Sequence, residues 1–349
     1  MRRVTSRTMG SLQDKLLYPS IPIGFLDDVL QAARYRGWET GALLQETGLS
    51  ESRLQLSGTR ISIDQYSRVL RQLRLQSGDA FMGFLSRPVP LRAFNVFSYG
   101  VVGCRNLQEL FDQANAFYAL FCDDFHWRLE KDRGDILLLT EVKPVLPLDY
   151  RFIIQSLLLM SIRLFGWLLG EDVEARSVGF SFSRNATDES LAYLFGSCIH
   201  YDCDADFVRI DGSYGNARLS CTRDQIGLML RNTRHLFLVS RRRNPLSQEV
   251  RRRLLLKKSE QWLEIEEVAR QLGVNKHQLW RKLKKEGTSF LDIRDQIKRD
   301  WALALLEDPA ITVEQVANNL RYSDVSAFRK AFKNWTGLQP TQYRVELNS

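Results

Sequence analysis

Apolar residues recur at three- and four-residue steps over most of this chain and at two-residue steps in one central stretch. Phe25, Leu26, Val29, Leu30 and Ala33 share one face of a helix that begins after Pro22 and ends near Gly37. A short helix around Leu43 and Leu44 closes at Gly48. Ser62-Ile63-Asp64 caps a longer one that carries Tyr66, Val69, Leu70 and Leu73. Val96–Val102 and Leu107–Leu120 read as two more helices, parted at Gly103-Cys104-Arg105-Asn106. The period then falls to two. Phe125, Trp127 and Leu129 alternate with polar residues, Lys131–Gly134 turns the chain, and Ile136–Val142 returns as the second strand of a hairpin. Asp149–Leu169 is helical again, Ser177–Phe182 alternates, and Phe207–Ile210 makes a last short strand. The pattern predicts a mixed α/β body without fixing its topology.

From Ile265 to Arg344 the same helical pattern is written twice. Val268, Ala269, Leu272, Gly273 and Val274 are followed by Leu279 and Leu283; Val316, Ala317, Leu320, Arg321 and Tyr322 are followed by Phe328 and Phe332. Each copy reads as a short helix, a tight turn and a second helix, with the small Ala letting the two helices approach. One such hairpin is weak evidence, since many helical domains contain one. Two copies with a linking helix between them are far more specific. That helix offers Ile293, Ile297, Trp301, Leu303, Leu305 and Leu306 to a shared core; Asp308-Pro309 stops it, and Thr312 with Gln315 makes a capping box for the next helix. The predicted fold is a mixed α/β N-terminal regulatory domain followed by an all-α DNA-binding domain with two helix-turn-helix motifs joined by a linking helix. The expected divisions are a loose tail at 1–20, a sensing or dimerisation domain at 21–240, a basic linker and helix at 241–258, and the DNA-binding domain at 259–349.

Charge sharpens this division. The net charge is +8; residues 241–349 hold 22 Lys and Arg against 14 Asp and Glu, while residues 1–240 hold 27 of each. All of the surplus lies beside or within the doubled motif, which implies a polyanionic partner. The basic run Arg251-Arg252-Arg253, with Lys257-Lys258, reads either as a solvated linker and helix or as a further set of phosphate contacts. Five cysteines, an odd number in 349 residues, do not form a disulfide framework and suit a reducing, cytoplasmic setting. Arg2, Arg3 and Arg7 are followed by no apolar signal core, and Leu157–Gly170 is short and contains Arg163, so a buried helix is expected there rather than a membrane span.

Catalytic chemistry finds little support. His126, His200 and His235 are scattered, and no phosphate loop or nucleophile elbow is present. Cys198-Ile-His200-Tyr-Asp-Cys203 offers soft metal ligands or a redox pair, but cysteine is as often a small buried apolar residue and no second ligand cluster lies nearby. No catalytic residue, metal or cofactor is expected.

The doubled segment resembles the AraC/XylS family of bacterial transcription regulators. The resemblance lies in Val268-Ala269-Arg270-Gln271-Leu272-Gly273, Leu279–Leu283, Lys284–Phe290, Val316-Ala317, Ala327–Lys333, Trp335-Thr336-Gly337 and the ending Pro340–Arg344. It departs at Arg321, where the family usually has Gly, a residue suited to a left-handed turn. Gly58–Tyr66, Ser77-Gly78-Asp79 and Pro90–Leu120 are similar to the arabinose-binding-type N-terminal domain of a branch that includes ornithine-utilisation and virulence regulators. The resemblance implies a promoter-binding regulator, more often an activator acting through RNA polymerase, with homodimerisation and a small-molecule effector of unknown identity. The alternative is a DNA-binding regulator with no effector, controlled by abundance or a protein partner.

The outward positions of the two recognition helices supply the candidate DNA contacts. On the first, Leu279 and Leu283 face inward, leaving His277, Gln278, Trp280, Arg281 and Lys284 outside, with Asn275, Lys276 and Lys285 placed for phosphates. Arg281 is the leading base reader, by bidentate pairing with guanine; Trp280 offers apolar contact with thymine methyls or else packs on the linking helix. On the second, Ser326, Arg329, Lys330 and Lys333 face outward, and the resemblance puts Ser326 and Lys330 at base-facing positions. Asp324 reads as a helix cap. Any one lysine is equally well a solvated charge. With the Gly273 turn, Trp280 and Arg281 in the first half and Arg321 in the turn of the second, the first half is expected to discriminate sequence and the second mostly to anchor.

Overall fold

A computed structural model describes residues 20–54, 60–185, 191–196, 198–231, 246–256 and 262–348. The tail before Ser20, Gly58-Thr59, His235, Arg241–Pro245 and Lys257-Lys258 lie outside the described residues. In chain order the structure begins with β1 (Ile21–Pro22), α1 (Gly24–Tyr35), α2 (Gly41–Glu46), α3 (Glu51–Leu54), β2 (Arg60–Ile61) and α4 (Ile63–Ser77). There follow α5 (Ala93–Gly100), α6 (Leu107–Tyr118), β3 (Phe125–Asp132), β4 (Asp135–Val142) and α7 (Arg151–Leu169). Then come β5 (Ser177–Gly179), α8 (Leu191–Phe195), β6 (Ile199–His200), β7 (Phe207–Asp211) and α9 (Arg223–Arg231).

The described residues fall into two compact units. One holds 25–43, 67–185, 191–196 and 198–231; the other holds 20–24, 44–54, 60–66, 246–256 and 262–348. Three described N-terminal stretches, 20–24, 44–54 and 60–66, thus cluster with the C-terminal unit.

In the first unit five strands form one sheet in the order β3-β4-β7-β5-β6, antiparallel except for the β5–β6 pair. The hairpin expected from the two-residue period is present: Phe125 stands opposite Val142, and Arg133 and Gly134 make the turn with positive φ. Gly212 touches that turn so closely that a Cβ would lie 1.9 Å from the Gly134 carbonyl oxygen. α7 packs against β4 and β7. It is long and apolar enough to cross a bilayer, yet 72% of its apolar window is buried within the protein, as expected of a core helix. Asn115 on α6 ties helix to sheet by accepting from the Trp127 amide (2.9 Å) and donating to the Trp127 carbonyl (2.8 Å). Buried Asp79 organises the loop before α5, accepting from the amides of Phe81, Gly83 and Val89.

β6, unforeseen in the sequence, carries part of the cysteine–histidine cluster. Cys198 Sγ lies 3.5 Å from His200 Nε2, while the Cys203 thiol donates to the Tyr201 carbonyl. Among the described residues no three His, Cys, Asp or Glu side chains converge as a metal site.

Candidate nucleic-acid interface

Among the described residues from 246 onward the C-terminal unit has seven helices in sequence: α10 (Leu246–Leu256), α11 (Ile265–Gln271), α12 (Lys276–Lys285), α13 (Phe290–Leu306), α14 (Val313–Asn319), α15 (Val325–Thr336) and α16 (Pro340–Asn348). α11 and α12 form the first helix-turn-helix, α14 and α15 the second, and α13 links them. Each half has its own core. The first gathers Val250, Leu254, Val268, Leu279, Leu283 and Ile297; the second gathers Leu306, Val316, Leu320, Phe328, Phe332 and Tyr343. Trp301 packs against both.

Local sequence explains how each recognition helix starts. Asn275 accepts from the Gln278 amide at 2.8 Å and Gln278 Oε1 accepts from the Asn275 amide at 3.1 Å, a capping box at the head of α12. The Thr312–Gln315 box closes the head of α14 in the same way. Asp324 caps α15 by accepting from the Ala327 amide at 2.8 Å, and that hydrogen bond, with others from Ser323 and Ser326, holds its carboxyl below the usual range.

Asn275, Lys276, His277, Gln278, Trp280, Arg281, Lys284 and Lys285 on the first helix are all exposed, as are Ser326, Arg329, Lys330 and Lys333 on the second. Their apolar partners Leu279, Leu283, Phe328 and Phe332 are fully buried. Lys282, also exposed on α12, was not foreseen; it adds one more positive charge beside Arg281. Trp280 is 53% exposed with the Lys284 ammonium 5.0 Å from its ring centre, whereas the indoles packed on the first core are those of Trp262 and Trp301. Asn275 and Gln278 already spend side-chain hydrogen bonds on the cap.

Two carboxylates at equivalent positions of the repeat each hold a basic residue of the recognition helix. Glu266 meets Lys276 at 2.6 Å, and Glu314 lies 4.0 Å from Arg329. The Lys276 hydrogen bond lowers the Glu266 pKa. These exposed pairs orient the cations at little energetic value.

The second turn takes the conformation that its residue resists. Arg321 has φ of +59°, close to the +67° of Gly273 in the first turn. The two turns are therefore alike, and the Arg321 backbone is held in a region that disfavours a Cβ.

The helix expected in the basic segment is present as α10, with Arg252 exposed, but Arg251 fits neither a solvated charge nor a phosphate contact. Arg251 is only 3% exposed and donates to Asp300 Oδ2 at 2.7 Å on the linking helix. Arg252 and Arg253 pair with Glu249 on their own helix. Val250, Leu254 and Leu255 enter the first core, and Glu286 caps the helix by accepting from the amides of Leu246 (2.8 Å) and Ser247 (2.9 Å). An apolar stripe with a buried ion pair makes this an integral helix, so Arg251 is closed to phosphate.

Asp300 also collects the N-terminal stretches. Ser20 donates to it through its amide (3.2 Å) and its hydroxyl, and Arg60 donates to the Ser20 carbonyl at 2.6 Å and to its hydroxyl oxygen at 2.8 Å. Burial would raise the Asp300 pKa, but Arg251, then Arg299, Ser20 and Arg60 outweigh it and hold the carboxyl below its ordinary value. Nearby, Arg53 on α3 donates to Glu307 at 2.8 Å beside buried Tyr343.

Two protein-family matches agree with this architecture. The arabinose-binding N-terminal domain of AraC transcription regulators matches residues 37–219, and a helix-turn-helix domain family matches residues 268–346. The ornithine utilization regulator of Pseudomonas aeruginosa is 22% identical over 326 residues, covering 93% of this chain and 96% of its own. An uncharacterized HTH-type transcriptional regulator of Mycobacterium bovis is 24% identical over 339 residues, covering 90% and 93%. The crystal structure of the transcriptional regulator CdpR from Pseudomonas aeruginosa matches at 19% identity, with 92% and 97% coverage and a TM-score of 0.31. With an arabinose-binding-type domain over more than half its length and a doubled helix-turn-helix after it, the chain belongs to the AraC family of DNA-binding transcription regulators.

Proposed function

We propose that this regulator acts as an activator, laying α12 and α15 in successive major grooves of promoter DNA on one face of the duplex. The observation that carries the reading is the division of labour on both helices: the apolar stripe is fully buried while every nominated contact residue is exposed. Arg281 reads a guanine, Trp280 touches thymine methyls or sugar edges, and Ser326 and Lys330 face bases on the second half-site. Lys276, Lys284, Lys285, Arg329 and Lys333 hold phosphates, with Asn275, His277 and Gln278 at the groove edge. The protein works as a homodimer in the bacterial cytoplasm and recruits RNA polymerase.

Control by a small molecule bound in the arabinose-binding-type domain is part of this proposal. The route it favours is covalent: residues 44–54 and 60–66 belong to the DNA-binding unit, and the helices Gly41–Glu46 and Ile63–Ser77 each run from it into the sensing unit. Hydroxyl-radical footprinting on promoter fragments found by genome-wide mapping tests the DNA reading; two protected patches one turn apart are expected, and a single patch refutes it. A thermal-shift screen with metabolites tests control: stabilisation by one chemical class supports an effector, and none across the screen favours regulation by abundance or a partner protein.

A further inference from the structure

The two recognition helices belong to separate cores, so something must set the angle between them. We infer that Lys298 is a positioning residue that fixes this angle and thereby the spacing of the two half-sites the protein accepts. The inference rests on the two-groove reading above.

Lys298 sits on the linking helix immediately after Ile297, which closes the first core, and just before Trp301, which touches both. Its ammonium lies 5.4 Å from the ring centre of Trp262, ahead of the first helix-turn-helix, and 4.7 Å from that of Tyr322, in the turn of the second. Among the described residues no carboxylate comes within ion-pair distance of it; Asp295 and Glu264 attract it from further off, Arg294 repels it, and the two aromatic faces are its direct contacts. Each face attracts a cation through the negative charge above the ring, more strongly where water is thinned out. One ammonium thus ties the two halves together.

A second tie runs beside it. Trp262 Nε1 donates to the Leu320 carbonyl at 3.2 Å, and the Trp262 ring meets Trp301 edge-on at 6.2 Å. Leu320 and Tyr322 flank Arg321, the residue in the left-handed conformation. The turn that aims the second recognition helix is therefore gripped on both sides, at a carbonyl by Trp262 and at a ring by Lys298. This gives a reason for the turn to keep its shape although it lacks glycine. Tyr322 passes the constraint on to Phe328, 5.6 Å away on α15.

The test uses the full-length protein and a duplex it selects from a random-sequence library. Hydroxyl-radical footprinting of the wild type comes first; a single protected patch overturns both the two-groove reading and this inference. With two patches present, affinity is measured on the selected duplex and on versions with one base pair inserted or removed between half-sites, each of which rotates one site about the axis by roughly a tenth of a turn. Lys298→Met keeps the stem and removes the cation. It is expected to narrow the preference for the selected spacing by about tenfold, the worth of one desolvated cation–π contact. Lys298→Arg, which can stack between the same rings, restores the preference, and Trp262→Phe, which loses the hydrogen bond to Leu320, narrows it as well. A Lys298→Met protein that keeps the wild-type preference, whether at unchanged affinity or with every spacing weakened by the same factor, overturns the inference while leaving the two-groove reading intact. If Lys298→Met melts below the assay temperature, Trp262→Phe decides the matter alone.

Discussion

Arg281 and Arg321 show how differently one residue type is used within a single domain. Arg281 projects into solvent from the middle of α12, one turn from Gln278 and Lys284, on the face opposite Leu279 and Leu283. Its replacement by Ala is expected to cost about 1–3 kcal/mol at one base position and to relax preference there. Affinities for a set of single-base operator variants check this; a loss uniform across the set would move Arg281 to the phosphate contacts. Arg321 contributes through its backbone, at φ +59°. Arg321→Gly is expected to raise thermal stability by up to about 1 kcal/mol, the relief of the left-handed strain less the entropy glycine adds to the unfolded chain. A lowered melting temperature would show that the arginine side chain outweighs its own strain. The outward position of Arg281 and the glycine-like turn at Arg321 were legible in the sequence, as were the Thr312–Gln315 box and the Asp324 cap, because helix faces, caps and turns are settled by residues three or four apart.

At the scale of elements, legibility fails where partners are distant in the chain. The alternation of Phe125, Trp127 and Leu129 exposed the hairpin, but nothing in a two-residue strand such as Ile199–His200 announces its parallel partner at Val178-Gly179. The run Arg251-Arg252-Arg253 looked like a solvated strip because its neighbours are basic; the residue that makes it a core helix, Asp300, lies 49 positions on. Asp300→Ala leaves Arg251 buried without its carboxylate, and is expected to destabilise the DNA-binding unit by about 3–5 kcal/mol in urea unfolding at neutral pH. The pH dependence follows from the direction of the shift. The folded-state pKa of Asp300 is below the unfolded value, so its stabilisation is complete above about 4, the ordinary aspartate pKa, and is lost as pH falls through the folded value. The wild type should therefore lose the Asp300 contribution only in the acid range, and the difference from Asp300→Ala should shrink there. An unchanged difference down to pH 2 would mean that packing, not charge, accounts for the loss.

At the scale of the whole molecule, charge and fold divide at different places. The surplus of 8 positive charges belongs to residues 241–349, yet the compact unit that holds it also takes in 20–24, 44–54 and 60–66 from the electrically neutral part of the chain. Not every basic residue of the unit is open to a partner, since Arg251 is buried against Asp300, Arg53 meets Glu307, and Lys298 is held between rings. What remains for DNA is concentrated on the outward faces of α12 and α15, where Arg281, Lys284, Lys285, Lys330 and Lys333 stand exposed. Binding through such a set releases condensed counterions, so affinity for the selected duplex should fall steeply with salt. With about 6–10 phosphate contacts across both half-sites, the loss between 50 and 200 mM salt is expected to reach about 10³–10⁵-fold. Removing one phosphate contact, by Lys284→Ala or Lys333→Ala, should reduce the slope of log affinity against log salt by about 1 and weaken all operator variants alike, whereas Arg281→Ala should spread the variants closer together. The two halves differ in this respect: the first carries Trp280 and Arg281 among its exposed residues, and the second exposes Arg329, Lys330 and Lys333 but no aromatic ring. Base preferences in the selected duplex should accordingly be sharper under α12 than under α15. Equal preferences under both helices, or sharper ones under α15, would show that the second half reads sequence rather than anchoring.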